Sequence, residues 1–444
     1  MQIINTQSNK KELLDLSRDE PIKLYVCGIT PYDYAHLGHG RCYITFDVLY
    51  RTLNFLGKKV TYVRNFTDID DKILVKSEKE YGSKFLYEKV SKKYIDAYLQ
   101  DMDQLNCLLP SKQPKVTESI SSIIVFIQNL IKQGHAYESQ GDVYFDVQAF
   151  PAYLQLSKHK LEDLNIGVRS EENKRKKYPL DFALWKSEEK ETFFKSPWGY
   201  GRPGWHIECS VMASDHLGKT VDIHGGGQDL IFPHHENEKA QSEAHNKVPF
   251  VRLWMHNGFV CIDKEKMSKS LGNFFTLRDI FKEFDPMIVR YYMLTHHYRA
   301  PLDFAIQDLQ AAQVAYNRLS LLLNQEYNKK FEKLVIKDSL IVQKMLEFLK
   351  NDFNTPGMWG VLFEHKNILK ENNEERFAVK SFLQDVIGLI FHKKQEKKQN
   401  VTAEIKDLLE QREQARKQKN WKYADEIRDQ LKVLGFNSQD KKIK

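Results

Sequence analysis

Hydrophobic and polar positions change their period several times along this chain, and the changes mark out its elements. Residues 22–26 form a short apolar run broken only by Lys23, with the length and β-leaning composition of a buried strand, and Gly28 and Pro31 stop it. From Tyr43 to Leu56 the apolar residues Ile44, Val48, Leu49, Leu53 and Leu56 recur at helical spacing, which predicts a helix. Lys59 to Arg64 is again strand-like. This is strand, loop, helix, strand, the opening of an α/β domain. In such sheets a helix N-terminus at the carboxyl ends of the strands offers backbone N–H groups to a phosphate.

The pattern shifts at Val116. Ile120 to Ile131 is helical, Gly134 fits a left-handed stop, and Asp142 to Val147 alternates like a strand through Val143, Phe145 and Val147. With the polar, lysine-rich loop 170–177, this predicts a subdomain at 116–200 inserted between two halves of the α/β fold. Beyond Thr276 the chain turns helical. Asp303 to Leu323 aligns Leu309, Ala312, Tyr316, Leu319 and Leu323 on one stripe, and Ser339 to Leu349 and Ser381 to Phe391 add amphipathic segments, as in a helix bundle. Thr355 is expected as an N-cap with Pro356 at the first helical position, while Gly357 and Gly360 each cost that helix about 1 kcal/mol in propensity. Lys393 to Lys398 forms a charged linker.

Composition narrows the picture without deciding it. A chain of 444 residues should hold about three domains, and a net charge of +7 with a pI near 8.8 suits a polyanionic partner without requiring one. There is no run of about 18 apolar residues, and MQIINTQSNKKELL lacks a signal-peptide pattern, so a cytoplasmic protein without membrane association is expected. The cysteines Cys27, Cys42, Cys107, Cys209 and Cys261 are odd in number and scattered, which argues against a disulfide framework and leaves metal binding open. Cys42 and Cys261 are expected as small buried residues.

His234 and Glu238 are four apart and share one face if FPHHENEKA opens a helix. With Cys209 and with Cys27 at the end of the first strand, they would supply two thiolates, an imidazole and a carboxylate for Zn²⁺. Two inert buried cysteines and a surface His–Glu pair would give the same pattern.

Two short motifs lie far apart: HLGH at His36 to His39 after the first strand, and KMSKS at Lys266 to Ser270. Either alone is weak, but together they resemble the paired signatures of class I aminoacyl-tRNA synthetases. CGITPYDYAHLGH, SPWGYGRPGWHIECSVMASDHLG and HGGGQDLIFPHHENEKAQSEA are similar to the cysteine-specific members, so the resemblance covers most of residues 21–275. It implies a Rossmann-like nucleotide-binding α/β domain split by an insertion, followed by an all-α helix bundle and a small C-terminal tRNA-binding domain. The expected boundaries are 1–115, 116–200, 201–300, 301–392 and 399–444.

The resemblance further implies that a monomer activates L-cysteine with ATP to cysteinyl-adenylate and transfers it to the 3′ end of tRNA(Cys). His36, His39, Lys266 and Lys269 would be catalytic, neutralising the phosphates; Gly38, Gly226 and Asp229 would join them in binding ATP, which Mg²⁺ accompanies. Gly28, Thr67, Trp205 and His224 would meet the amino acid, with His206 and His256 nearby. Cys27, Cys209, His234 and Glu238 would hold one Zn²⁺ per subunit, which prefers a thiolate to a hydroxyl. The glycine triple Gly225 to Gly227 would allow close backbone approach to a ligand.

The final segment, IKDLLEQREQARKQKNWKYADEIRDQLKVLGF, resembles the anticodon-binding domain, with Arg416, Trp421, Asp425 and Asp440 as candidate anticodon contacts. An ordinary helical hairpin packed on Trp421 would give a similar pattern. Many members carry a short closing segment ending in tryptophan that this sequence does not show, so a shortened domain is expected. The nearest alternative is the ligase that joins cysteine to an amino-sugar in mycothiol-type biosynthesis, which shares the pocket, zinc and lysine loop but has no use for a segment after Lys398. A zinc hydrolase is disfavoured because HHEN lacks the His-Glu-x-x-His spacing.

Overall fold

A computed structural model describes residues 1–160, 174–262, 265–266, 275–325, 336–391 and 403–433. The chain separates into two compact units, 1–391 and 392–444. The first opens with a hairpin of β1 (Gln2–Asn5) and β2 (Lys10–Leu13). Then β3 (Ile22–Ile29) leads through α1 (Leu37–Phe55) to β4 (Val60–Phe66), followed by α2 (Asp71–Tyr81) and α3 (Tyr87–Gln104). After α4 (Ile120–Lys132) comes an antiparallel sheet of β5 (Ala136–Ser139), β6 (Asp142–Phe145), β7 (Phe182–Ser187), β8 (Phe194–Ser196) and β9 (Gly199–Pro203). The chain returns through helix Trp205–Leu217 to β10 (Val221–Gly227), and through helix Glu236–Asn246 to β11 (Val251–Asn257).

The central sheet has the order β11-β10-β3-β4 with all pairings parallel. The chain builds outward from β3 on one side and from β10 on the other, so the order reverses between these two strands and a crevice opens at their carboxyl ends. Both faces are covered, which is why β3 reads as a nearly unbroken apolar run. Strand alternation sends Leu24 and Val26 into the core shared with Ile44 and Leu49 of α1, and Tyr25 and Cys27 into the opposite core with Ile207 and Val211 of helix Trp205–Leu217. A small sheet of β12 (Val260–Ile262), β13 (Glu265–Lys266) and β14 (Leu302–Asp303) lies beyond, with β12 in the middle.

Several elements differ from expectation. Helix α1 starts at Leu37, well before Tyr43, because His36 caps it: His36 Nδ1 accepts from the His39 N–H (3.3 Å) and His39 Nδ1 from the His36 N–H (3.2 Å). Histidine is not among the favoured caps, and Gly38 and Gly40 read as helix breakers, so periodicity alone hid this turn. Strand β6 ends at Phe145, and Val147 lies in a turn capped by Asp146. Of the loop 170–177, only its last residues fall within the described chain.

The helical region bears out the predicted stripe. Helix Ile306–Leu323 buries Leu309, Ala312, Tyr316, Leu319 and Leu323. Helix Thr355–Glu364 is capped by Asn354, whose Oδ1 accepts from the Gly357 N–H at 2.9 Å, whereas the Thr355 hydroxyl donates to the His296 carbonyl. Gly357 also has a packing reason, since a Cβ there would fall 2.2 Å from the Phe348 ring. The helix Asn373–Asp385 takes in only the first residues of the expected Ser381–Phe391 segment and ends at Asp385. Val386, Ile387 and Leu389 are buried beyond it without helix, the Ile387 carbonyl accepting from Arg290 Nε at 2.7 Å. Cys261 is only half-buried, contrary to expectation.

The second unit is a hairpin of helices Ala403–Lys417 and Trp421–Val433, closed by Ile405, Ile427 and Leu431. Among the described residues no helix is long and apolar enough to cross a membrane.

Candidate active site and metal centre

A cavity of about 500 Å³ occupies the crevice at the ends of β3 and β10, lined by Cys27, Gly28, His36, His39, Trp205 and Asp229 among others. Its geometry begins with a slip in the β3–β4 register between Val26 and Ile29. There the Gly28 N–H donates to Asn65 Oδ1 (2.9 Å), and a Cβ on Gly28 would fall 1.5 Å from the Asn65 carbonyl oxygen. No side chain fits. The Tyr43 hydroxyl donates to the Cys27 carbonyl (3.3 Å) from α1, tying the thiol's backbone to the helix that carries His36 and His39.

One donor atom from each of Cys27, Cys209, His234 and Glu238 lies within 4.8 Å of the others, and all four residues are buried. The two sulfurs are 3.8 Å apart, Cys27 Sγ is 3.4 Å from Glu238 Oε1, and His234 Nε2 is 3.0 Å from the same oxygen. Two sulfurs on a tetrahedral zinc at about 2.3 Å would sit about 3.8 Å from each other, so the spacing fits. The Cys27 thiol brings Cys209 down to about 6 against the burial of its sulfur, while burial pushes Cys27 itself well up. Burial opposes protonation of His234, but Glu238 and Cys209 outweigh it and hold the imidazole at about 10; Glu238, despite its burial, is held well below the carboxylate range by His224 and His234. A thiolate and a carboxylate thus face one imidazolium, whose proton a dication would displace on binding.

A second set shares two members with the first: Cys27, His224, His235 and Glu238 also bring donor atoms within 4.8 Å. His235 Nε2 lies 3.3 Å from Cys27 Sγ, and its Nδ1 is 2.7 Å from His256 Nε2, whose own Nδ1 meets Thr6 Oγ1 at 2.7 Å. Burial lowers both imidazoles, His256 to about 3, so they stay neutral.

Residues 13–314 match the family model for the class I (C) tRNA synthetase catalytic domain, and residues 398–442 match the cysteinyl-tRNA ligase anticodon binding domain. A cysteine–tRNA ligase of Pelobacter propionicus is 43% identical, aligned over 99% of this chain and 98% of its own length. This chain belongs to the cysteine–tRNA ligase family. Other cysteine–tRNA ligases are equally near: that of Archaeoglobus fulgidus is 44% identical with 99% of this chain and 98% of its own covered. Among solved structures, Mycobacterium tuberculosis methionyl-tRNA synthetase in complex with methionyl-adenylate shares the fold at a TM-score of 0.58 and 14% identity, covering 83% of this chain and 92% of that one.

Within this cysteine–tRNA ligase fold the expected site residues divide into groups. His36, Gly38 and His39 line the cavity at the α1 N-terminus, the two imidazoles stacked with centroids 3.7 Å apart. Trp205 also lines it and stacks on His234 at 4.2 Å. His206 Nδ1 lies behind, 3.0 Å from His234 Nδ1. Asp229 faces the cavity together with Gly227, while Gly226 sits behind against Leu230 and His235. The space above Gly225 is filled by the Phe46 ring, so its close approach is to a core side chain and not to a ligand. Thr67 is buried with its hydroxyl donating to Glu208 Oε2 (3.0 Å), and His224 is buried with Nε2 2.9 Å from Glu238 Oε2. Neither is in the cavity wall.

Lys266 lies on β13 opposite Cys261, and Lys269 and Asp440 fall outside the described residues. In the helical hairpin, Arg416 is in the last turn of its helix and Asp425 pairs with Arg428 at 2.8 Å. Trp421 is 59% exposed, so the hairpin does not pack on it. Neither His235 nor Tyr43 stands out in the sequence as a site residue. The doublet His234–His235 hinted at the first; Tyr43 carried no signal beyond its place in a helix.

Proposed function

We propose that this chain joins L-cysteine to tRNA(Cys) in two steps. The cysteine carboxylate attacks the α-phosphate of ATP and pyrophosphate leaves; the terminal ribose hydroxyl of the tRNA then attacks the carbonyl and AMP leaves. His36 and His39, at the positive end of α1, meet the phosphates as charge builds on them, aided by Lys266 and Lys269. Asp229 and Gly38 hold the nucleotide, and Mg²⁺ accompanies it. Gly226 acts from behind by shaping the turn that carries Gly227 and Asp229.

Cys27, Cys209, His234 and Glu238 hold one zinc per subunit. Bound there, zinc keeps the substrate sulfur as a thiolate, which a serine hydroxyl cannot match. Trp205 and Gly28 wall the amino-acid subsite, and Thr67 and His224 support it through Glu208 and Glu238. Arg416, Trp421, Asp425 and Asp440 contact the anticodon, with the exposed Trp421 ring available for base stacking. The expected domain boundaries, a monomeric state and a cytoplasmic location complete this reading.

The single observation that carries it is the buried Cys27–Cys209–His234–Glu238 cluster, which shares Cys27 with the cavity that holds His36 and His39. The amino-sugar ligase reading loses ground because residues 398–442 match an anticodon-binding domain. The test is cysteine-dependent exchange of pyrophosphate into ATP, followed by charging of purified tRNA(Cys). Exchange with cysteine but not serine, and charging, are expected. Exchange without charging, with cysteine transferred to an amino-sugar, would sink the reading.

A further inference from the structure

Beside the main cavity runs a second groove of about 350 Å³, lined by Tyr32, Asp33, Asp71, Lys72, Val75, Lys76 and Lys79. Tyr32, Asp33 and Lys72 line both spaces, so the groove leads into the cavity. Lys72, Lys76 and Lys79 fall on one face of α2 at helical spacing, spanning about 10 Å along its axis. Lys72 Nζ stands 5.4 Å from the Tyr32 ring centre, and Val75, 70% exposed, presents an apolar floor between the lysines. Of the neighbouring carboxylates, Asp71 is engaged by Lys186 and Arg202, while Glu80 is shared between Lys76 (3.2 Å) and Lys93 (3.0 Å), so that Lys93 can hold it when Lys76 turns to a phosphate. The Asp33 carboxylate accepts from the Tyr34 N–H. Beyond Lys79 the track continues, with Tyr81 exposed and Lys89 Nζ 5.9 Å from its ring.

Alternating cations and flat apolar surface is the recognition chemistry of single-stranded nucleic acid, whose phosphates seek the cations and whose base faces seek the rings. An acidic peptide would use the lysines but leave the Tyr32–Val75 floor unmatched. We infer that the α2 groove guides the single-stranded 3′ end of tRNA into the cavity, with Lys72, Lys76 and Lys79 on successive phosphates and Lys89 on the adjoining stem. This rests on the tRNA-charging reading above and names the path by which that substrate reaches the adenylate.

The test uses the full chain with Lys79→Ala/Lys89→Ala and Lys79→Arg/Lys89→Arg, two exposed positions away from the main cavity. Two readouts are needed: the ratio of tRNA charging efficiency to pyrophosphate exchange rate, and direct binding of a labelled acceptor-stem minihelix with its 3′ single strand, each at several salt concentrations. The alanine pair should lower the charging-to-exchange ratio about tenfold, weaken minihelix binding by a similar factor and flatten its salt dependence, while the arginine pair stays near wild type. Unchanged minihelix affinity in the alanine pair, or an equal loss with a minihelix lacking the 3′ single strand, would overturn the groove assignment. Absence of cysteine-dependent exchange in the wild type would instead overturn the ligase reading, and the minihelix binding would still judge the groove.

Discussion

Cys27 and Cys209 are brought together by the two-residue period of β3 and by the second turn of the helix Trp205–Leu217, and both sulfurs are buried. Their proposed task is to ligate zinc. Cys209→Ser replaces a thiolate with a hydroxyl that stays protonated, so zinc content and cysteine-dependent exchange should fall together, exchange by at least about 100-fold. Metal analysis beside the exchange assay checks this, with Cys261→Ser as a variant that keeps both. Full zinc in Cys209→Ser would remove Cys209 from the ligand set. Spacing alone left these cysteines undecided between inert and ligating, because their meeting is set by strand alternation and a register slip at Gly28. Resemblance to the family pointed to all four positions, and the structure brings their donors within reach of one another. His235 escaped because a histidine doublet does not say which imidazole faces the sulfurs.

Elements followed their hydrophobic period where one face is buried, and departed from it where a specific side chain acts on the backbone. The stripe from Leu309 to Leu323 was readable for that reason, and the start of α1 was not, since His36 acts as a cap through its ring nitrogen. Residues 386–391 misled in the opposite way, being apolar for burial beside Arg290 without forming a helix. The two glycines of helix Thr355–Glu364 provide a paired prediction. At exposed Gly360 an added Cβ meets nothing within 4 Å, so Gly360→Ala should stabilise the chain by up to about 1 kcal/mol. At Gly357 the Cβ would strike the Phe348 ring, and overpacking of about 1–3 kcal/mol should outweigh the same propensity gain, leaving Gly357→Ala destabilised. Denaturant unfolding of the two variants should give opposite signs, and equal signs would refute the packing explanation.

On the scale of the whole molecule, the division after Phe391 separates the cavity and donor cluster from the helical hairpin. A chain ending at Phe391 should therefore keep cysteine-dependent exchange within about twofold of wild type while tRNA charging efficiency falls, since base stacking of about 1–3 kcal/mol per base is lost. Equal charging by both chains would make the hairpin structural. The proposed thiolate selection depends on which donors would surround a metal, because Cys27 and Glu238 belong to two overlapping sets. Zinc-edge X-ray absorption of the purified protein tests this most directly. Two sulfurs at about 2.3 Å and two nitrogen or oxygen ligands at about 2.0–2.2 Å are expected, with a third sulfur appearing when cysteine is added. A single sulfur with added imidazole scattering, unchanged by cysteine, would assign the site to Cys27, His224, His235 and Glu238 and contradict thiolate selection.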